Sequence, residues 1–266
     1  NIVLINIFLA LVIVFFQRRS PQTVWTWLLL LYFIPILGFV MYLIIGQDFH
    51  KSRMFKAKEI EGELKYAVRR QEETIYYKRL RMANPEMSRF KDLILYNLEA
   101  GEAVLTDNND IRVYTDGKEK FRALIEEMKQ AKRYIHMQYY IIRNDELWQE
   151  VEKVLIQKAR EGVEVRVLFD SMGCRTMKNR DWERLEKEGI QVAEFFPALL
   201  GQLQLRVNYR NHRKIVVIDG RVGFVGGFNV GREYLGRDKK FGYWRDTHLC
   251  IEGAAVTSLA VRFVLD

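Results

Sequence analysis

The chain opens with two apolar runs and then changes character. From Ile2 to Phe16 every residue except Asn6 is apolar, and Val24 to Gly46 runs without a charge. Gln17-Arg18-Arg19-Ser20-Pro21 interrupts the two. A helix needs about 20 apolar residues to cross the hydrocarbon core of a bilayer. The second run is long enough; the first is short as it stands, as a trimmed N-terminus would explain. A signal peptide is disfavoured for the first run because no small-residue cleavage site follows it. For the second run a buried core helix is the rival, and Trp25 and Trp27 at one edge suit an interfacial belt better. Residues 1–48 are therefore expected to form a two-helix transmembrane hairpin. Arg18 and Arg19 sit in its turn, while Lys51, Arg53, Lys56 and Lys58 follow the second run. The heavier cluster of cations stays on the cytoplasmic side, and with it the remainder of the chain.

Residues 49–91 mix Lys and Arg with Glu and read as a solvated helical linker. A globular domain is expected over 92–266. Asp110 to Tyr114 has the look of a short strand, with Asp116-Gly117 as a turn. Phe121, Leu124, Ile125 and Met128 keep helical spacing, and Tyr134 to Ile142 is aromatic and β-branched, hence a strand. Trp148, Val151, Leu155 and Ala159 mark a helix that Gly162 ends. Val163 to Phe169 reads as a buried strand, Arg180 to Lys187 as a helix and Ile190 to Phe195 as another strand. Strands alternating with helices predict an α/β sandwich whose sheet is mostly parallel, with a site at the carboxyl ends of its strands.

Charge narrows the partners. Across 266 residues, 42 Lys and Arg face 34 acids, a net charge of +8, and the pI is near 9.4. Such a surface suits nucleic acid or an anionic membrane. The two cysteines, Cys174 and Cys250, lie far apart without metal-ligand spacing and read as small buried hydrophobes. His50, where the second apolar run ends, is given no chemical role.

The chemistry concentrates in Asn211-His212-Arg213-Lys214-Ile215-Val216-Val217-Ile218-Asp219-Gly220. On a strand, residues i and i+2 share a face. His212 and Lys214 thus project together at the start of an Ile-Val-Val-Ile strand. A phosphodiester calls for that pair: a nucleophile for phosphorus and a fixed cation for its non-bridging oxygens. Gly226-Gly227-Phe228-Asn229 follows a second β-rich stretch. Its glycines permit close backbone approach to a ligand, and Asn229 offers an amide donor. A nucleophilic imidazole also needs a carboxylate on its other nitrogen. Asp246 is the candidate for that role, with partnership to Arg245 or a helix cap as the alternative. His248 shares the Asp246 face of its strand, either as a site wall or as a packed histidine.

The spacing His-x-Lys-x4-Asp followed by Gly-Gly-x-Asn resembles the HKD motif of the phospholipase D superfamily. Over nearly the whole chain it is similar to the bacterial cardiolipin synthases. The similarity includes the hairpin with Arg18-Arg19-Ser20-Pro21, the Tyr134-Ile135-His136-x-x-Tyr139-Tyr140 strand, and Trp244-Arg245-Asp246-Thr247-His248. Gln138 departs from it, since Glu is expected there more often. The resemblance implies a phospholipase D-like lobe and a catalytic motif of His212, Lys214 and Asp219. His212 would be the nucleophile, while Lys214, Asn229 and Gly227 would hold the phosphate. Asp219 would tie down the turn before Gly220. Asp246 and His248 would stand behind these groups, and His136 would line the site. It further implies phosphatidyl transfer between two phosphatidylglycerol molecules through a phosphohistidine, with no metal and no cofactor. The setting would be the inner (plasma) membrane, multi-pass, with the catalytic domain cytoplasmic.

Only one HKD motif is present, and Ala254 to Asp266 reads as a helix cut before a second lobe. The partners expected are therefore the anionic lipid, the bilayer, and a second HKD lobe from the same full-length chain or another. Residues 1–266 alone are expected to be inactive or nearly so. Two rivals stand: a single-HKD phosphodiesterase (phospholipase D or nuclease) completed by dimerisation, and a non-catalytic fragment that binds anionic lipid. Salt-dependent DNA binding would favour the first, although no nucleic acid is the expected partner. Lipid binding that survives His212→Ala in a chain that never turns over would favour the second.

Overall fold

The computed structural model describes residues 2–16, 21–45, 66–67, 69–71, 85–101, 103–195 and 210–266, which fall into two compact units. His50, the cations Arg18, Arg19, Lys51, Arg53, Lys56 and Lys58, and most of the charged linker lie outside the described residues.

The first unit contains α1 (Ile2–Phe16), α2 (Pro21–Phe33) and α3 (Pro35–Ile45). The expected hairpin of two spans is replaced by three short helices, and no helix among the described residues is long and apolar enough to cross a membrane. Pro35 is the physical reason. It has no N–H to give the carbonyl four residues back, and its ring pushes against that carbonyl. Leu31 is thus left with an orphan oxygen. Asn6, the one polar residue of the first run, fills the vacancy: its Nδ2 donates to Leu31 O (3.1 Å) and to Pro35 O (3.0 Å). Ile34 N still donates to Leu30 O (3.1 Å) and Gly38 N to Ile34 O (2.7 Å), so the chain bends at Ile34 without unwinding. The pair of tryptophans divides. Trp27 is buried edge-on against Tyr42, with ring centroids 5.4 Å apart, and only Trp25 is exposed.

The second unit is built on a seven-stranded sheet in the order β1-β7-β6-β5-β2-β3-β4. The strands are β1 (Asp110–Asp116), β2 (Tyr134–Tyr139), β3 (Glu164–Asp170), β4 (Gln191–Phe195), β5 (Ile215–Ile218), β6 (Val222–Gly226) and β7 (Arg245–Glu252). Only β2–β3 and β3–β4 are parallel; the other four pairings are antiparallel. The sheet is therefore mixed, which corrects the expected mostly parallel one. Antiparallel neighbours need only a short turn, whereas parallel ones need a crossover. Asp219-Gly220 supplies such a turn. Both residues are left-handed (φ 57° and 68°), and Arg221 N closes on Ile218 O at 3.0 Å. A type I′ hairpin requires that pair of positive φ values, and Asp-Gly is its strongest short signal.

Helices cover both faces. On one lie α5 (Gly117–Lys129), α6 (Glu146–Arg160) and α7 (Asn179–Lys187), packing Phe121, Leu124, Trp148, Val151 and Trp182 against Val216, Ile218, Met137 and Val167. On the other lies α8 (Ala255–Leu265), whose Val256 meets Ile215, Val217 and Ile251. The alternate residues of β5 thus enter two different cores, which is why that strand is apolar at every position. Asp116 is the N-cap of α5, its Oδ1 accepting from Lys118 N (2.8 Å) and Glu119 N (3.2 Å), where a turn had been expected. A short helix α4 (Lys91–Gly101) precedes the sheet.

Candidate active site

His212 and Lys214 meet just before β5. Lys214 Nζ lies 3.0 Å from His212 Nδ1 and donates to the His212 carbonyl oxygen at 2.7 Å. Lys214 is buried while the imidazole is exposed. Desolvation pushes the Lys214 ammonium down to about 8, with the Asp246 charge opposing the shift. The imidazole is also held below its ordinary range, first by desolvation and then by the Lys214 charge, with Asp170 opposing. Tyr140 forms the wall: its ring is 4.5 Å from the His212 ring and 5.4 Å from Lys214 Nζ. The contact at Nδ1 fixes a chemical condition. Attack through Nε2 needs Nδ1 to carry the proton, so Lys214 must accept from Nδ1 or move off it onto a bound anion.

The other motif residues divide. Asp219 stands at the far end of β5 and engages main chain alone: Oδ2 accepts from Lys132 N (2.8 Å), and Oδ1 from Arg133 N (2.8 Å) and Tyr134 N (2.9 Å). Four residues at about 3.3 Å each separate it from the His212 segment. Asn229 is buried, its Oδ1 accepting from Ile141 N (3.1 Å) and its Nδ2 donating to Tyr234 Oη (2.9 Å). These two bonds use one of its two amide hydrogens. The glycines permit close approach within the fold. A Cβ on Gly227 would collide with the Asp246 carboxylate, and one on Gly226 with the β7 main chain at Thr247 and His248.

Asp246 makes no hydrogen bond to His212 among the described residues. Its Oδ1 accepts from Thr247 N (2.7 Å), and it acts on the pair through Lys214. His248 is completely buried, with both ring nitrogens lacking a hydrogen-bond partner. Burial, then the Lys120 and Lys214 charges, push it down to about 2, so the ring stays neutral. His136 does not line the site: it stacks on Phe263 of α8 (4.7 Å) and meets Glu164 Oε1 at 3.0 Å. The reason is strand parity, which places it under α8. Cys174 and Cys250 are both buried and free.

Two groups escaped the sequence reading. Lys120, on the buried face of α5, is fully enclosed; its Nζ donates to Tyr139 Oη at 2.6 Å and lies 3.6 Å from the Phe121 ring centroid. Desolvation holds it well below the usual lysine range. Its signal was the i, i+4 spacing from Lys120 to Leu124, inside an otherwise apolar stripe. Asp266 is the second, anchored beside His212 by Arg213 at 2.8 Å.

Residues 124–244 match the family described as cardiolipin synthase, PLD-like domain, and residues 4–47 match phospholipase D-nuclease N-terminal. Cardiolipin synthase 2 of Staphylococcus epidermidis is 45% identical over 264 residues, 99% of this chain and 54% of its own. Cardiolipin synthase of Staphylococcus aureus is 46% identical, covering 99% of this chain and 53% of its own. The chain thus spans about half the length of the curated relatives it matches. Among solved structures, NucT from Helicobacter pylori overlaps with a TM-score of 0.46 at 14% identity, over 59% of this chain and 94% of that one. Over 99% of its length the chain is thus similar to cardiolipin synthases, and residues 124–244 match their PLD-like domain.

Proposed function

We propose that the chain supplies the first-motif half of a phosphatidyltransferase that makes cardiolipin and glycerol from two molecules of phosphatidylglycerol. The observation that carries this reading is the His212–Lys214 pair, an exposed imidazole 3.0 Å from the Nζ of a buried lysine. In the first step His212 Nε2 attacks phosphorus and the bond to the glycerol oxygen breaks. That oxygen takes a proton from the histidine of a second HKD motif and glycerol leaves. A hydroxyl of the second phosphatidylglycerol gives its proton back to the same histidine and attacks the phosphohistidine, which frees His212. Lys214 and the remaining N–H of Asn229 neutralise the non-bridging oxygens throughout.

The bilayer is part of this proposal. The apolar helices α1, α2 and α3 would anchor the protein in it. Asn6 and α1 satisfy the carbonyls released at the bend, as buried polar backbone in lipid requires. The catalytic unit then lies on the cytoplasmic side.

The test is trapping by a denaturing alkaline quench, which preserves the P–N bond, in the intact protein with phosphorus-labelled phosphatidylglycerol. Label on residue 212, lost in His212→Ala together with cardiolipin formation by several orders of magnitude, is the expected result. Full transfer by His212→Ala would reject the assignment.

A further inference from the structure

The segment bearing His212 is gripped from both sides by buried carboxylates. On one side stands Asp170, the last residue of β3; its Oδ2 accepts from Asn211 N at 3.2 Å and its Oδ1 from Met172 N at 2.9 Å. On the other stands Asp266, which follows α8, its side chain only 3% exposed. Its Oδ2 accepts from Asn211 Nδ2 (3.0 Å), Arg213 Nη1 (2.8 Å) and Gln138 Nε2 (2.7 Å). Its Oδ1 accepts from Arg213 Nη1 (2.9 Å) and pairs with Arg262 Nη2 at 3.1 Å. Both neighbours of His212 in the chain are therefore tied to one carboxylate. Asn211 Oδ1 also accepts from Arg213 N at 3.1 Å, which closes a turn around the His212 main chain.

We propose that Asp266 is a positioning residue for His212, holding the Asn211–Arg213 turn so that the exposed imidazole stays against Tyr140 and in line with phosphorus. The inference rests on the phosphatidyl-transfer reading, in which His212 is the nucleophile. The chemistry of the cluster supports it. A carboxyl group with two guanidinium partners and two amide donors has its oxygens engaged from several sides, so it holds one geometry. The His212 ring is exposed, with Tyr140 and Lys214 against it, and a displacement of about 1 Å at a reacting atom can cost about a hundredfold in rate. Gln138 gains a reason too. A glutamate there would set a second carboxylate against Asp266, and an acceptor would face an acceptor. The neutral amide donates instead.

The experiment uses the intact protein with vesicles of phosphatidylglycerol, and in parallel the soluble diester bis(p-nitrophenyl) phosphate. Formation of phosphohistidine at residue 212 and turnover are both read per folded molecule. Asp266→Asn keeps the shape but turns an acceptor into a donor facing Gln138 and Asn211. We expect kcat to fall about a hundredfold with KM changed less than about twofold, on both substrates. Arg213→Gln removes the surface partner and should lower kcat about tenfold. The double variant should be no slower than Asp266→Asn alone, since both changes break one unit. Wild-type kcat per folded molecule in Asp266→Asn, or losses that multiply in the double variant, would overturn the proposal. If Asp266→Asn does not fold, full kcat in Arg213→Gln overturns it and a slowed one supports it. A wild type that labels His212 from the soluble diester but makes no cardiolipin rejects the lipid reading and leaves this test intact. One that labels from neither substrate rejects both.

Discussion

At the scale of single residues the pH dependence of the site follows from two opposite protonation demands. Lys214 must be charged to hold a phosphate, and it loses its proton as pH rises through about 8. His212 must be neutral to attack, and its shift below the ordinary 6.5 makes it so throughout the neutral range. In the intact protein, kcat/KM should therefore rise along an acid limb below 6.5 and fall along an alkaline limb near 8. Lys214→Arg should carry the alkaline limb upward, because a guanidinium stays charged, while the acid limb keeps its place. An alkaline limb unmoved by that change would assign it to another group. The His212–Lys214 pair could be read in the sequence because strand geometry depends on spacing alone. Its wall could not: Tyr140 arrives from the end of β2, and nothing in its own neighbourhood marks it as a partner of residue 212.

At the scale of elements, Asp219 shows a motif residue acting through the backbone. Its carboxylate accepts from three consecutive N–H groups that open β2, and it also adopts the left-handed φ of the β5–β6 turn. Asp219→Ala leaves those donors without acceptors at a half-buried edge. The expected loss is about 3 kcal/mol, and thermal unfolding should shift down by roughly 6–10 °C. Turnover per folded molecule should change little, since His212 lies at the other end of the strand. A large fall in kcat with unchanged unfolding would place Asp219 in the chemistry instead. The same turn explains the error in sheet direction. Alternating strands and helices account for β2, β3 and β4, but Asp219-Gly220 turns the chain back on itself and begins a run of antiparallel pairing. That dipeptide stood in the sequence as a hairpin signal. The helical unit was misread for a related reason: Pro35 sits inside a run whose hydropathy is continuous, and hydropathy carries no information about a missing N–H.

At the scale of the whole molecule, a net charge of +8 predicts attraction to an anionic bilayer that weakens with salt. Residues 1–266 produced alone should bind phosphatidylglycerol vesicles at low ionic strength, lose the electrostatic part of that affinity as salt is added, and form no cardiolipin. Sedimentation with vesicles and product analysis measure both, and robust turnover by this length of chain would show that one HKD motif suffices. What the sequence determined by itself were properties local in the chain: the apolar runs, the alternation of elements, and the His212–Lys214 spacing with its Asp219 and paired glycines. These are properties of period and of individual side chains. Only the tertiary structure decided which face of the sheet each histidine occupies, that His136 goes under α8, and that the space beside Gly227 belongs to Asp246. It alone brought Asp266 to both neighbours of His212 and sealed Lys120 against Tyr139. Such contacts join residues from tens to more than a hundred positions apart, and they arise from the packing of helices on strands, where no spacing along the chain can reveal them.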